Sequence, residues 1–326
     1  MENKAKLLKI LDNFKGRKIL VIGDIMLDKY IWGDVSRISP EAPVQVVNVL
    51  RETYEAGCAA NVANNIAALD GDALMVGITG SDDARKILVE ELKKKNIDVN
   101  GVLIDKDKPT TQKVRILGKS QQLLRVDYEN KEHVHEIIES SIIGFVEKNI
   151  KNIDVVVISD YAKGVLTPKV SKKIVDISKQ NKKIIIVDPK PKHKEFYKDV
   201  DLITPNNAEA SEMSGIEDGS DETIMEIGNK LMKNLNTNVL ITRGEKGMSM
   251  FEKSGSVTHI PTNAKEVYSL IGAGDTVVAT ISLALASGAD FKEAAVLSNI
   301  AAGIKVGKIG TASVSIEEIK KEIKKL

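Results

Sequence analysis

The chain is 326 residues long, 42% hydrophobic and 29% charged, with a formal net charge of +1. That is the balance of a soluble globular protein with room for one large α/β domain or two smaller ones, and it supplies no global field for gripping nucleic acid or an anionic membrane. A single cysteine, Cys58, excludes an internal disulfide, and the histidines His133, His135, His193 and His259 stand at no familiar metal spacing.

The opening MENKAKLLKILDNFKGRK is amphipathic and charged, without the apolar core of a signal peptide, and no run reads as a membrane span. A cytoplasmic location is expected. Short β-branched runs at 18–24, 73–80, 154–160, 183–189, 201–206 and 238–244 read as strands. Amphipathic stretches at 83–95, 132–150, 168–180 and 221–235 read as helices between them. Such alternation predicts a mostly parallel sheet with helices on both faces, in which ligands bind beyond the carboxyl ends of the strands. Asp24, Asp160, Asp188, Asn206 and Gly244 fall at those ends. Two stretches, 31–50 and 110–127, instead alternate like exposed strands. They fit a small sheet standing off the main domain, or equally a pair of surface hairpins. The basic end EEIKKEIKKL reads as a solvated terminal helix.

The segment SLIGAGDTVVATISLALASGA (269–289) puts Gly272, Ala273, Gly274 and Asp275 before a helix that is apolar nearly all round. Alone, it describes a capped core helix after a tight turn, with Asp275 at the positive end of the helix dipole. If the helix mouth binds an anion, the amides of Gly272, Ala273 and Gly274 stabilise charge on a transferring phosphoryl group. A carboxylate repels phosphate, so Asp275 then suits a base that takes the proton of an attacking hydroxyl. In TRGEKG (242–247), Thr242, Gly244 and Gly247 could approach the outer phosphates of a nucleotide, though the segment by itself reads first as a hairpin turn. In NNAE (206–209), Asn206 and Glu209 stand one helical turn apart. That spacing suits Mg²⁺ held mainly through water, and it equally suits a capping box.

In this order, GAGDTVVATISLALASGA, TPNNAE and TRGEKG resemble the ribokinase (PfkB) family of sugar kinases. VIGDIMLDKYIWGDVSRISPEAPVQVV, AANVANNIAALDG, PTTQKVR, QQLLRVD, SDYAKGVLTP and VDPK are similar to its heptose 7-phosphate kinase branch, so the resemblance spans roughly 18 to 316. It implies a ribokinase-like three-layer α/β fold with a mostly parallel central sheet and a small protruding β lid. Residues 1–30, 51–109 and 128–326 would form the kinase core; 31–50 and 110–127 would form the lid, which commonly also serves as a dimer interface. The expected reaction is ATP- and Mg²⁺-dependent transfer to O1 of D-glycero-D-manno-heptose 7-phosphate. Asp275 would be the base and the amides of Gly272, Ala273 and Gly274 the anion hole. Thr242, Gly244 and Gly247 would meet the nucleotide, and Asn206 and Glu209 would organise magnesium. Asp24, Asp28 and Asn61 match positions that hold sugar hydroxyls, and Asp160 is grouped with them at its strand end. The 7-phosphate needs cations: Lys113, Arg115, Arg125, Lys163 and Lys190 are the candidates, with arginine favoured for bidentate binding. Expected partners are thus a sugar phosphate, ATP and a second copy of the chain, not nucleic acid or membrane.

Three positions depart from the pattern. Members generally carry Asp-x-Thr before the GAGD, and those two residues help build a monovalent-cation site in many of them; here the residues are Ser269, Leu270 and Ile271. Weak or absent K⁺ activation is expected. Cys58 stands where the branch usually has a second glycine. A kinase for another sugar, or a catalytically weakened nucleotide-binding homologue, remain the alternatives. A dehydrogenase is disfavoured because GDIMLD after the first strand lacks the Gly-x-Gly-x-x-Gly fingerprint. No His-x-Gly-His-type motif is present, so a separate nucleotidyltransferase is expected to complete any nucleotide-heptose pathway.

Overall fold

β-branched runs and amphipathic stretches alternate as the spacing predicts, and the computed structural model describes them over residues 4–119, 121–217, 220–264, 266–308 and 312–325. The first half holds α1 (Lys4–Asp12), β1 (Lys18–Gly23), β2 (Ile25–Ile38), β3 (Gln45–Cys58), α2 (Ala59–Ala68), β4 (Asp72–Thr79), α3 (Asp83–Lys94), β5 (Asp98–Ile104), β6 (Gln112–Gly118), β7 (Gln121–Tyr128) and α4 (Glu136–Asn149). The second half holds β8 (Val155–Ser159), α5 (Pro168–Gln180), β9 (Ile184–Asp188), β10 (Leu202–Ile203), α6 (Asn207–Ser214), α7 (Asp221–Leu235), β11 (Asn238–Thr242), β12 (Met248–Phe251), β13 (Val257–Ile260), α8 (Ala273–Ala286), α9 (Phe291–Val306) and α10 (Ile316–Lys325).

Among the described residues the main sheet runs β13-β12-β11-β10-β9-β8-β1-β4-β5. It is parallel except at β12, which is antiparallel to both neighbours. Central strand β1 is buried on both faces, and its pleat sends alternate residues into two cores. Ile19 and Val21 join a core built with α1, α2, α3, α8, α9 and α10. Leu20 and Ile22 join a second with α4, α5, α6 and α7. The result is the expected three-layer α/β fold, with the carboxyl ends of the parallel strands gathered along one edge.

A smaller sheet, β3-β2-β6-β7, stands beside it. Strands β2 and β3 stay paired from Ile25 opposite Cys58 to Ile38 opposite Gln45, so the expected lid limits at 31 and 50 fall inside continuous strands. At one end Ile25, Met26 and Leu27 are buried; towards the other, Ile38, Val49, Leu50 and Leu124 present apolar side chains to solvent. Trp32 lies on β2, its Nε1 donating to Thr53 Oγ1 at 3.1 Å. Tyr30 stacks beside it, and the Arg51 guanidinium covers its ring at 4.7 Å.

The C-terminal helix differs from expectation. Ile316, Ile319 and Ile323 of α10 are buried, because their spacing draws one apolar stripe along a lysine-rich helix. Only the opposite face, with Lys321, Lys324 and Lys325, is solvated. No helix among the described residues is long and apolar enough to cross a membrane.

Candidate active site

Helices α2 and α8 meet at the carboxyl edge of the main sheet and hold Asp275 between them. Gly272 caps α8 with φ +74°, and a Cβ there would stand 2.9 Å from Asn61 Nδ2, so glycine is what the approach of that amide requires. No capping side chain closes the helix mouth, which leaves it to an incoming anion. One of the three expected amides is partly spent: the Ala273 N–H closes a turn on the Leu270 carbonyl at 3.3 Å.

Asp275 is 7% exposed. Asn61 Nδ2 donates to its Oδ2 at 2.5 Å, and the Tyr161 hydroxyl donates to its Oδ1 at 3.1 Å. Burial pushes the Asp275 carboxyl above the usual carboxylate range, against these two hydrogen bonds. One residue on, Thr276 Oγ1 donates to Asn65 Oδ1 at 3.2 Å, so the i and i+4 amides of α2 stitch it to α8. Tyr161 is held as a phenol, its own proton loss opposed by burial and then by the Asp275 charge.

Two of the expected sugar ligands, Asp24 and Asp160, also anchor a loop. The Asp24 carboxylate accepts the backbone N–H groups of Tyr161 at 2.9 Å, Lys163 at 3.0 Å and Val165 at 3.2 Å. Asp160 accepts from Ala162 N at 2.7 Å and from the Tyr197 hydroxyl at 2.6 Å, and pairs with His193 Nδ1 at 2.7 Å. Both are buried. These bonds fix the loop that presents Tyr161.

The candidate cations divide by partner. Arg115 binds Asp28 at 2.5 Å and lies over the Tyr30 ring. Lys163 pairs with Glu129. Lys190 reaches Glu209 at 2.6 Å and lies over the Tyr161 ring. Arg125, on outer strand β7 opposite Arg115, is held bidentately by Asp127 of its own strand at 2.8 and 3.0 Å. Lys113, in register with Asp28, has no ion-pair partner among the described residues. Asp188 completes the cleft: burial first, then the charges of Asp275 and Glu209, push its carboxyl well above the usual range.

Next to the α8 mouth lies a cavity of about 490 Å³. Thr242, Gly244 and Gly247 line one side, Ala273, Gly274 and Val277 another, with Val267, Leu270 and Val306 making it apolar. Gly247 has φ +80°, and a Cβ on it would collide with the Ile260 carbonyl oxygen. A bridge between Asn206 and Thr242 ties the NNAE turn to this cavity. There Asn206 Oδ1 accepts Glu209 N–H at 2.9 Å and Glu209 Oε2 accepts Asn206 N–H at 3.1 Å, a complete capping box for α6. Glu209 Oε1 faces Lys190. No group of three His, Cys, Asp or Glu side chains among the described residues could chelate a metal. A divalent cation here would draw most of its ligands from water and phosphate, and the crowded carboxylates Asp188 and Glu209 fit its charge.

A family model described as pfkB family carbohydrate kinase matches residues 17–319. The chain belongs to that family. It is 43% identical over 301 residues to the bifunctional protein HldE of Geobacter metallireducens, covering 92% of this chain and 61% of the relative. HldE of Wolinella succinogenes is 41% identical, with 92% and 63% covered. The chain thus spans less than two thirds of these relatives. Among solved structures, Arabidopsis thaliana ribokinase complexed with ribose and ATP matches with a TM-score of 0.75 at 20% identity, covering 95% of this chain and 99% of that one. These neighbours show the ribokinase-like fold. Membership makes the protein a carbohydrate kinase, a phosphotransferase with an alcohol group as acceptor.

Sequence reading of this kinase passed over Tyr161 and Asn65. Tyr161 stands inside SDYAKGVLTP, but its contact with Asp275 depends on a loop tied down by Asp24, which no local pattern announces. Cys58 caps α2 at φ +55° and ψ −132° with its thiol buried, so the residue where glycine is usual keeps a glycine-like backbone.

Proposed function

We propose that this kinase uses ATP to phosphorylate O1 of D-glycero-D-manno-heptose 7-phosphate, giving heptose 1,7-bisphosphate. The observation that carries the reading is Asp275, buried at the mouth of α8 between an apolar cavity sized for a nucleotide and the inner end of the lid. The heptose assignment draws support from the relatives named HldE and from the matching motifs.

Asp275 takes the proton of the sugar hydroxyl as that oxygen bonds to the γ-phosphorus, and the bond from phosphorus to the departing ADP oxygen breaks. Asn61 and Tyr161 hold the carboxylate in line, and both still donate once it is neutral only through rearrangement, so they favour its ionised, receptive form. The α8 mouth stabilises negative charge on the transferring group. Thr242, Gly244 and Gly247 cradle the nucleotide, and Asn206, Glu209 and Asp188 would hold Mg²⁺, largely through water, to offset phosphate charge. Asp28 and Asn61, with Asp24 and Asp160 behind them, are proposed for the sugar hydroxyls. Lys113 is proposed for the 7-phosphate because its ammonium is uncommitted, with Arg115 and Lys163 available on exchange of partners.

Phosphorus NMR of the products formed from ATP, Mg²⁺ and a panel of sugar phosphates tests this reading. A new anomeric phosphate from heptose 7-phosphate is expected, with kcat lowered about 10²–10⁴-fold in Asp275→Asn. Turnover of a different sugar alone would move the substrate; Cys58 favours that second reading, since a buried side chain within range of the Asp275 and Asp28 charges stands where the resembling branch usually has glycine.

A further inference from the structure

His193 and Tyr197 are buried, and the reaction above uses neither. Both belong to the Pro191–Tyr197 turn that follows β9. Their polar atoms converge on one carboxylate: His193 Nδ1 stands 2.7 Å and the Tyr197 hydroxyl 2.6 Å from the same Asp160 Oδ2. The His193 ring stacks on Phe196, with centroids 4.7 Å apart. Burial, then the Asp160 charge, keeps Tyr197 a phenol, so its hydroxyl stays a donor. That hydroxyl also accepts the Lys190 N–H at 2.9 Å, and the Lys190 ammonium lies over the Tyr161 ring.

The other Asp160 oxygen gives this cluster its use. Oδ1 accepts the Ala162 N–H at 2.7 Å, with Ala162 at φ +53°, a conformation that residues other than glycine seldom take. From β1, Asp24 takes the N–H groups of Tyr161, Lys163 and Val165. Two buried carboxylates thus clamp the backbone between 161 and 165 in a strained shape, and that shape carries the Tyr161 hydroxyl to 3.1 Å from Asp275 Oδ1. Such strain persists only where the surroundings over-determine it, and it gathers at functional sites. We infer that His193 and Tyr197 are positioning residues for the catalytic base: by fixing Asp160 they hold the strained loop that delivers the Tyr161 hydroxyl to Asp275. This rests on the kinase reading above and extends it to a turn behind the cleft.

His193→Phe and Tyr197→Phe each keep a ring and remove its bond to Asp160, while His193→Asn keeps a donor near the Nδ1 position. Melting temperatures establish which variants fold. The first readout needs no turnover: the titration midpoint of Asp275, followed by carboxyl-carbon NMR of aspartate-labelled protein with the signal identified in Asp275→Asn. Tyr161→Phe removes the donor itself and should raise that midpoint by about one pH unit. Both turn variants should move it in the same direction, and should add nothing further on the Tyr161→Phe background. His193→Asn should restore most of the wild-type value. Asp28, Asp188, Lys305 and the Cys58 thiol face Asp275 and are the same in every variant. Tyr197→Phe changes no charge, so a shift it shares with His193→Phe does not come from an imidazolium. In turnover, kcat should fall about 10- to 10²-fold in the two phenylalanine variants, with the sugar KM little changed. An unmoved midpoint in either folded phenylalanine variant would overturn the proposal, as would a shift that persists in full without the Tyr161 hydroxyl. A raised sugar KM with the midpoint unmoved would leave Asp160 a sugar ligand only, and would overturn it too. A wild type that titrates as expected but phosphorylates no sugar overturns the kinase reading alone, and the midpoint comparison still decides the role of the turn.

Discussion

Burial and two hydrogen-bond donors act on Asp275 in opposite directions, and burial prevails. A base works only when ionised, so kcat/KM should rise with pH through a midpoint above the ordinary carboxylate value. That limb should vanish in Asp275→Asn; its survival there would assign the proton to another group. Stability carries the opposite sign. A carboxyl whose folded pKa is raised keeps its proton longer in the native state, so its stabilisation is full below the unfolded value and is lost as pH rises through the folded one. Asp188 belongs to the same class. Asp188→Asn should therefore raise the melting temperature at neutral pH and flatten its decline from acid to neutral. A fall instead would mean that partners hold the Asp188 charge in place. Cys58 stores strain of another kind. At φ +55° and ψ −132° a side chain costs about 1–3 kcal/mol. Cys58→Gly should gain about 1 kcal/mol in urea denaturation after the lost burial of the thiol is set against that relief.

At the scale of elements, the terminal helix gives the clearest test. Ile323 is fully buried on the stripe that α10 shows to the core, so Ile323→Ala should cost about 2–5 kcal/mol, measured by denaturant unfolding. A neutral result would reduce α10 to a surface appendage. The lysines around that stripe dominate the sequence impression and hid it. Strands β1, β4, β8, β9 and β11 were legible because burial on both faces demands unbroken apolar runs. The expected strand at 201–206 shrinks to Leu202–Ile203, since Pro205 cannot donate to a ladder. Edge strands β5 and β13, and the four-residue β12 beside β13, lacked such runs and went unread. Within the cleft, Asp275, Asn61 and Glu209 stood in recognisable motifs. That Asp24 and Asp160 also anchor a loop could not be read, because it is a contact made across the fold. Asp24 and Tyr161 are 137 residues apart in sequence.

For the whole molecule, the lid joins the site to the exposed apolar residues Leu50 and Leu124 through long strands that stay paired from the core end outwards, with register shifts only at Trp32/Gly33 and Val35/Arg37 of β2. That apolar surface supports the homodimer proposed for the lid. Light scattering should give a dimer mass, and Leu124→Lys should shift it towards the monomer; a monomeric wild type would end the idea. The position of Trp32 has a practical consequence. It is the only indole in the chain and it sits on β2 beneath Arg51, not in either core. Emission excited at the red edge of absorption is then a signal from the lid alone. Its quenching or spectral displacement should follow whatever settles over that sheet, while melting of the nine-stranded body would pass almost unseen until the lid came loose.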